Sequence, residues 1–268
     1  MTPRTVAPPC VIFGPIHRSL SLCNAEVYAV AAGVAASQGA ELLVLPEGYG
    51  LVGKPTDTSY YEPLASVIRT APCDDTQAAS VQHALSCAAR AHRIAVAANV
   101  FVSLPNGTHR IVEIVYDATG ATLAVYSKHH LFPVTEPPHF APGPFNPTTF
   151  ALASGTRYGI IICYEGFYPD LTGDWAQMTA LKSDNASAFV WSVGDTVDTL
   201  HDQAKKIALK FSVPVIGTED KEGPNADVAI VLASGADASH NDTVLTGLLP
   251  AGYTASPIVR VGTILSVS

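Results

Sequence analysis

The sequence predicts an α/β protein. Short β-branched runs recur along its length, polar turns follow them, and most of these turns lead into Ala-rich stretches of helical length. Of the 268 residues, 48% are hydrophobic and only 14% charged, the balance of a chain that buries a large core rather than a disordered one. One domain over residues 1–268 is expected, because neither a linker nor an internal repeat interrupts the pattern.

In chain order, strands are expected at Cys10 to Pro15 (CVIFGP), Glu41 to Leu45 (ELLVL), Ile94 to Val102 (IAVAANVFV), Ile111 to Tyr116 (IVEIVY) and Thr122 to Tyr126 (TLAVY). Further runs follow at Tyr158 to Ile162 (YGIII), Ala186 to Val193 (ASAFVWSV), Val213 to Gly217 (VPVIG) and Ala226 to Leu232 (ADVAIVL). Helices are expected between them at Leu22 to Ser37, Thr76 to His92, Asp170 to Lys182 and Val197 to Phe211, with good helix formers in the body and Asp or Thr near the start. The Gly-containing turn Asp117-Ala-Thr-Gly120-Ala joins two strand runs as an antiparallel hairpin, so the sheet system is mixed. Six prolines between Pro133 and Pro147 exclude regular structure there and mark a stiff loop after Lys128.

Several function classes are disfavoured by bulk properties. Fifteen Lys and Arg against twenty-three Asp and Glu give a formal charge of −8, which repels phosphate backbones and anionic membrane surfaces, so no nucleic-acid partner is expected. The longest Ala-rich stretch, Ala25 to Ala36, falls short of the roughly 18 apolar residues that a bilayer span needs and is interrupted by Glu26, so no membrane association is expected. Met1 to Cys10 holds no apolar run of signal-peptide length, which makes the cytoplasm the expected compartment. Three glycosylation-type triplets, beginning at Asn106, Asn185 and Asn241, would matter only in the secretory pathway. The cysteines are Cys10, Cys23, Cys73, Cys87 and Cys163; an odd count without a CxxC pair argues against a disulfide scaffold or a zinc site and leaves at least one thiol free.

Three reactive residues each close a hydrophobic run: Glu47 after ELLVLP, Lys128 after TLAVYS and Cys163 after YGIII. Ligand sites in open α/β sheets collect at the carboxyl ends of strands, so the three can converge despite their separation in sequence. Singly, each has a plainer reading as a turn acid, a surface lysine or a small core hydrophobe. As a set they supply a thiol nucleophile, a carboxylate to take its proton and a cation for the charge that develops when the thiol adds to a carbonyl or nitrile carbon. The backbone N–H of Tyr164 is the second expected donor to that charge, and no metal or organic cofactor is required. His129, His130 and His139 have no regular ligand spacing and are expected to flank a pocket entrance rather than hold a metal. Tyr164, Phe167, Tyr168, Trp191 and Phe140 are candidates for its walls. Glu165, two residues after Cys163, is left without an assigned role.

The segments LLVLPEGYG (Leu42 to Gly50), YSKHHLF (Tyr126 to Phe132) and GIIICYEGFYPDL (Gly159 to Leu171) resemble, in this order and spacing, the nitrilase superfamily of carbon-nitrogen hydrolases. The resemblance runs from the first strand to beyond Val193. It implies a four-layer αββα sandwich, a Glu-Lys-Cys triad at Glu47, Lys128 and Cys163, and a second glutamate, Glu136, that orients the lysine and the substrate. It also implies a small-molecule amide as substrate and a homodimer or larger homo-oligomer. YSKHHLFPVTEPPHF looks most like the biotinidase and vanin (pantetheinase) branch, although CYEG stands where that branch has Cys-Phe-Asp, so an ω-amidase-like activity remains an alternative. Two further readings share the fold: a non-catalytic binding subunit, and an acyl transferase that uses the same thioester.

Overall fold

The computed structural model describes residues 17–48, 58, 61–65, 67–75, 80–194, 199–219 and 228–238. The first expected strand, Cys10 to Pro15, and the tail with Asn241 lie outside them. Five helices are described: α1 (His17–Ser37), α2 (Val81–His92), α3 (Tyr164–Thr172), α4 (Ala176–Ser183) and α5 (Leu200–Phe211). Ten strands accompany them: β1 (Leu42–Val44), β2 (Glu62–Pro63), β3 (Ala95–Ser103), β4 (His109–Tyr116), β5 (Thr122–Ser127), β6 (Thr149–Ala151), β7 (Arg157–Ile162), β8 (Ala188–Val193), β9 (Val215–Glu219) and β10 (Val228–Val231).

The strands form two five-stranded sheets. In the first, β1 and β2 lie parallel to opposite ends of β3, and β3, β4 and β5 run antiparallel in that order. In the second, β7, β8 and β9 are parallel, with β6 and β10 antiparallel at the edges. Helices α1 and α2 cover the first sheet, α4 and α5 cover the second, and β1 faces β8 and β9 across the middle. The result is the four-layer αββα sandwich.

Burial on both faces explains why the strands read as unbroken apolar runs. Along β7, Ile160 and Ile162 pack into the core between the sheets, while Ile161 packs with Phe189, Trp191 and Ile207 beneath the helices. Cys163, the next residue, touches both cores.

Local chemistry sets the helix ends. Ser80 accepts a hydrogen bond from His83 N at the start of α2, and Arg93, at φ 55°, ends it. The single helix expected over Asp170 to Lys182 is two, because Gly173 at φ 75° ends α3 and Asp174 Oδ1 then accepts from Ala176 N (2.9 Å) to start α4. Strands β2 and β6 span two and three residues and leave no period to detect. Cys73 and Cys87 form a disulfide that ties a 3-10 turn at Pro72–Asp74 to α2. Their separation of 14 residues carries no spacing signal, and only the packing of that turn on the helix brings them together. Among the described residues, Cys163 is the free cysteine, and no helix is long and apolar enough to cross a membrane.

Candidate active site

Backbone hydrogen bonds fix each of the three strand ends. Glu47 follows β1, and its N–H donates across the sandwich to Val193 O at the end of β8 (3.1 Å). Lys128 follows β5; its N–H donates to Ile111 O (2.9 Å), and its carbonyl accepts from Gly143 N (2.7 Å), which folds the Pro-rich loop back over the strand. Cys163 follows β7, and its N–H donates to Ser192 O (2.7 Å). Two strands of one sheet and one of the other therefore deliver the side chains to the same end of the sandwich.

There the structure brings together Glu47, Lys128, Glu136 and Cys163. Lys128 Nζ donates to Glu47 Oε1 (2.8 Å) and to Glu136 Oε1 (2.6 Å), with all three side chains buried. Glu136 is held in turn, since its Oε2 accepts from Phe132 N (2.7 Å). Glu47 Oε2 is buried with no hydrogen-bond partner among the described residues. Cys163 Sγ and one carboxylate oxygen each of Glu47 and Glu136 lie within 4.8 Å of one another.

The electrostatics assign protonation states. Burial alone would pull Lys128 down, but the acidic groups around it, the Cys163 sulfur once it is a thiolate and the Glu47 and Glu136 carboxylates, outweigh it and hold its ammonium well above the usual lysine value. Burial raises Glu136 against the pull of Lys128. Burial, with Glu47 beside it, pushes the Cys163 thiol well up, against Lys128 and a backbone hydrogen bond from Gly194. At rest the group is a thiol, and a thiol needs a base to take its proton before its sulfur can act as a nucleophile. The Lys128 ammonium occupies the place between Glu47 and Glu136 where a metal cation would otherwise balance two carboxylates.

Cys163 sits on a strained turn. Cys163 has φ 43° and ψ −111°, a conformation that costs a non-glycine residue about 1–3 kcal/mol. Its surroundings hold it there: its carbonyl accepts from Trp191 Nε1 (2.9 Å) and Gly166 N (3.0 Å). Helix α3 starts at the next residue, so the Tyr164 N–H has no acceptor within the helix and stands at its positive end, where negative charge is favoured.

The sequence profile of the Carbon-nitrogen hydrolase family matches residues 16–181. The chain belongs to this family. Among solved structures, a mutant of the amidase from Nesterenkonia sp. AN1, showing covalent addition of the acetamide moiety of fluoroacetamide at its active site cysteine, superposes with a TM-score of 0.66. Identity is 20%, over 82% of this chain and 80% of that one. A further mutant of the same amidase, in complex with butyramide, gives a TM-score of 0.65 at 20% identity, covering 82% of this chain and 80% of that chain. No curated protein sequence matches the chain.

One residue of this carbon-nitrogen hydrolase site was given no role by the sequence. Glu165, in the first turn of α3, is buried and turned inward. Its Oε1 accepts from Tyr126 OH (2.6 Å) and His129 N (2.7 Å), and its Oε2 from Ile162 N (2.9 Å) and Gln177 Nε2 (3.0 Å). One carboxylate thus clamps the residues on either side of Lys128 to the strand that ends in Cys163. The signal for it was an acid inside an otherwise apolar segment.

The aromatic candidates divide. Trp191 and Phe140 are core residues, Trp191 against Phe167 and Phe140 against Tyr61 and Phe101. His130 stacks on Tyr168 at 3.8 Å, Tyr164 meets Phe132 at 5.5 Å, and His129 meets the exposed Phe145 at 5.4 Å. These rings form a half-exposed aromatic cluster where the Lys128 loop meets α3. His129 Nδ1 bonds to Gly143 O (2.8 Å), and burial lowers the His130 imidazole from its ordinary value.

Proposed function

We propose that this carbon-nitrogen hydrolase cleaves a linear amide through a thioester on Cys163. The observation that carries the reading is the divided Glu47 carboxylate, with one oxygen held by Lys128 and the other buried and unpartnered in the same cluster as Cys163 Sγ. Glu47 takes the thiol proton as sulfur adds to the amide carbon. The oxyanion that forms is stabilised by the Lys128 ammonium and the Tyr164 N–H. Glu47 passes its proton to the departing nitrogen, the C–N bond breaks, and an acyl-thioester remains. Glu47 then takes a proton from water as the hydroxyl oxygen adds to the thioester carbon, and the acid leaves as Cys163 regains its proton. Glu136 orients Lys128 and the substrate throughout.

The substrate is a pantetheine- or biotin-type amide by the likeness of YSKHHLFPVTEPPHF to the biotinidase and vanin branch, or a simpler ω-amide. Support for small amides comes from the structural relative, which is described with butyramide bound. The active unit is a homodimer or larger assembly, and a monomer by light scattering would overturn that part.

The decisive experiment incubates the protein with pantetheine, biotinyl-lysine and simple ω-amides and follows its intact mass, with Cys163→Ala as control. An acyl adduct that is absent in the control establishes the thioester and weighs the acyl group. A competing amine in the same reaction separates hydrolysis from acyl transfer. Neither adduct nor turnover across the panel would favour a non-catalytic binding subunit.

A further inference from the structure

Midway along β4, the run IVEIVY places one carboxylate in an apolar strand. Glu113 is fully buried and lies in register with Asn99 on β3 and Tyr126 on β5, so the three share one face of the first sheet. That face looks across the sandwich, because Ser192 of β8 donates to Glu113 Oε1 (3.0 Å). Asn99 Nδ2 donates to Glu113 Oε2 (3.0 Å).

These contacts belong to a closed circuit. Gly48 N donates to Asn99 Oδ1 (2.9 Å), Asn99 to Glu113, and Ser192 to Glu113 from the other sheet. The Ser192 carbonyl accepts from Cys163 N, and its neighbour Val193 accepts from Glu47 N. The circuit leaves from the residue after Glu47, crosses between the sheets at Glu113, and returns to Glu47 past the backbone of Cys163. A second directional link runs through Glu165 to Tyr126 and His129, at the Lys128 side; the apolar packing between the sheets is non-directional and does not by itself fix the offset of Glu47 against Cys163.

We propose that Glu113 is a positioning residue for Glu47 and Cys163, acting through Asn99 and Ser192 and setting the offset of the two sheets beneath the triad. The inference rests on the reading of Cys163 as the nucleophile. The charged groups that face Glu113 are Glu47 and Glu165, both acidic, and its hydrogen-bonding partners Asn99 and Ser192 are neutral. Burial is the largest influence and pushes the Glu113 carboxyl up to about 8, so it is protonated at neutral pH. A neutral carboxyl accepts from Asn99 with one oxygen and shares the Ser192 hydroxyl with the other, a pattern that glutamine reproduces and leucine does not.

The test uses the full chain and a thiol probe, iodoacetamide, with peptide mass mapping of Cys163 and amide turnover in parallel. E113L should label Cys163 at least about tenfold more slowly than wild type near neutral pH, because Asn99 and Ser192 lose a buried partner. E113Q should restore the rate to within about twofold. Above about pH 8 the wild-type rate should fall below that of E113Q, since only wild type gains a charge beside Glu47. Equal rates for E113L and wild type, or no rescue by E113Q, overturn the proposal. If E113L does not fold, the comparison of wild type with E113Q across pH decides, and coincident profiles overturn it. Selective labelling of Cys163 that ignores position 113 removes this proposal alone, whereas no selective labelling in wild type removes the nucleophile reading as well.

Discussion

Gly166 lies flat against the Trp191 indole: a Cβ added to the glycine would stand 2.4 Å from ring atoms Cε2 and Cζ2. The same indole holds the Cys163 carbonyl, and Gln203 Nε2 of α5 donates to the Gly166 carbonyl (2.7 Å). The first turn of α3 is therefore clamped from both sides. Gly166→Ala should cost about 1–3 kcal/mol through overpacking and should slow acylation of Cys163 by about tenfold or more as the turn shifts. Urea denaturation and the intact-mass assay check both; a variant that acylates at the wild-type rate would rule out the clamp.

Removing the buried cation exposes the sign of the electrostatics. Lys128→Met leaves Glu47 and Glu136 buried without a counter-charge, which should destabilise the fold by about 3–5 kcal/mol at neutral pH. Glu136, which burial already raises against the pull of Lys128, would then lose that pull and bind a proton more readily in the folded than in the unfolded state. Stability of the variant should accordingly fall as pH rises through the carboxylate range and recover in acid, relative to wild type. Denaturation midpoints at acidic and neutral pH measure this, and under the proposed mechanism activity should drop at least about a hundredfold with the loss of the cation assigned to the oxyanion.

Sequence and structure agree where one residue type and one period carry the signal. Glu47, Lys128 and Cys163 stood out because each closes a hydrophobic run, and strand ends of both sheets meet on one side. What sequence could not supply was direction. Glu165 carried no readable role, because the positive φ at Cys163 ends the strand and the first turn of α3 returns its carboxylate to Ile162 N. Asn99 and Glu113 are visible only as polar residues in apolar strands until Ser192 arrives from the other sheet. Likewise Gly173 divides an expected helix because its backbone conformation, rather than the flanking periodicity, decides the break.

Glu165→Gln tests the clamp between the Lys128 segment and the strand that ends in Cys163. As a carboxylate, Glu165 receives donors on both oxygens, from Tyr126, His129, Ile162 and Gln177. Glutamine offers one acceptor oxygen and turns an NH₂ group toward N–H donors. A loss of about 1–3 kcal/mol is expected, with kcat falling more than KM changes, because the Lys128 to Cys163 spacing rather than substrate binding is disturbed. A variant that raised KM alone would contradict this.

The Cys73–Cys87 disulfide should act on stability without touching the chemistry. It closes a segment with a sequence separation of 14 and anchors the turn before α2, which packs on β3 and β4 away from the Lys128 cluster. For a loop of that length the constraint on the unfolded chain is worth about 3 kcal/mol. The double variant Cys73→Ser, Cys87→Ser should therefore unfold at lower urea, and reduction of the wild type should lower its midpoint by a similar amount. Acylation of Cys163 well below the melting transition should stay unchanged in both, because the backbone bonds that set Glu47 and Cys163 run to β8 and not to α2. A fall in that rate on reduction, with the fold intact, would mean that α2 bears on the site through β3, and the Gly48 to Asn99 bond is where the effect would enter.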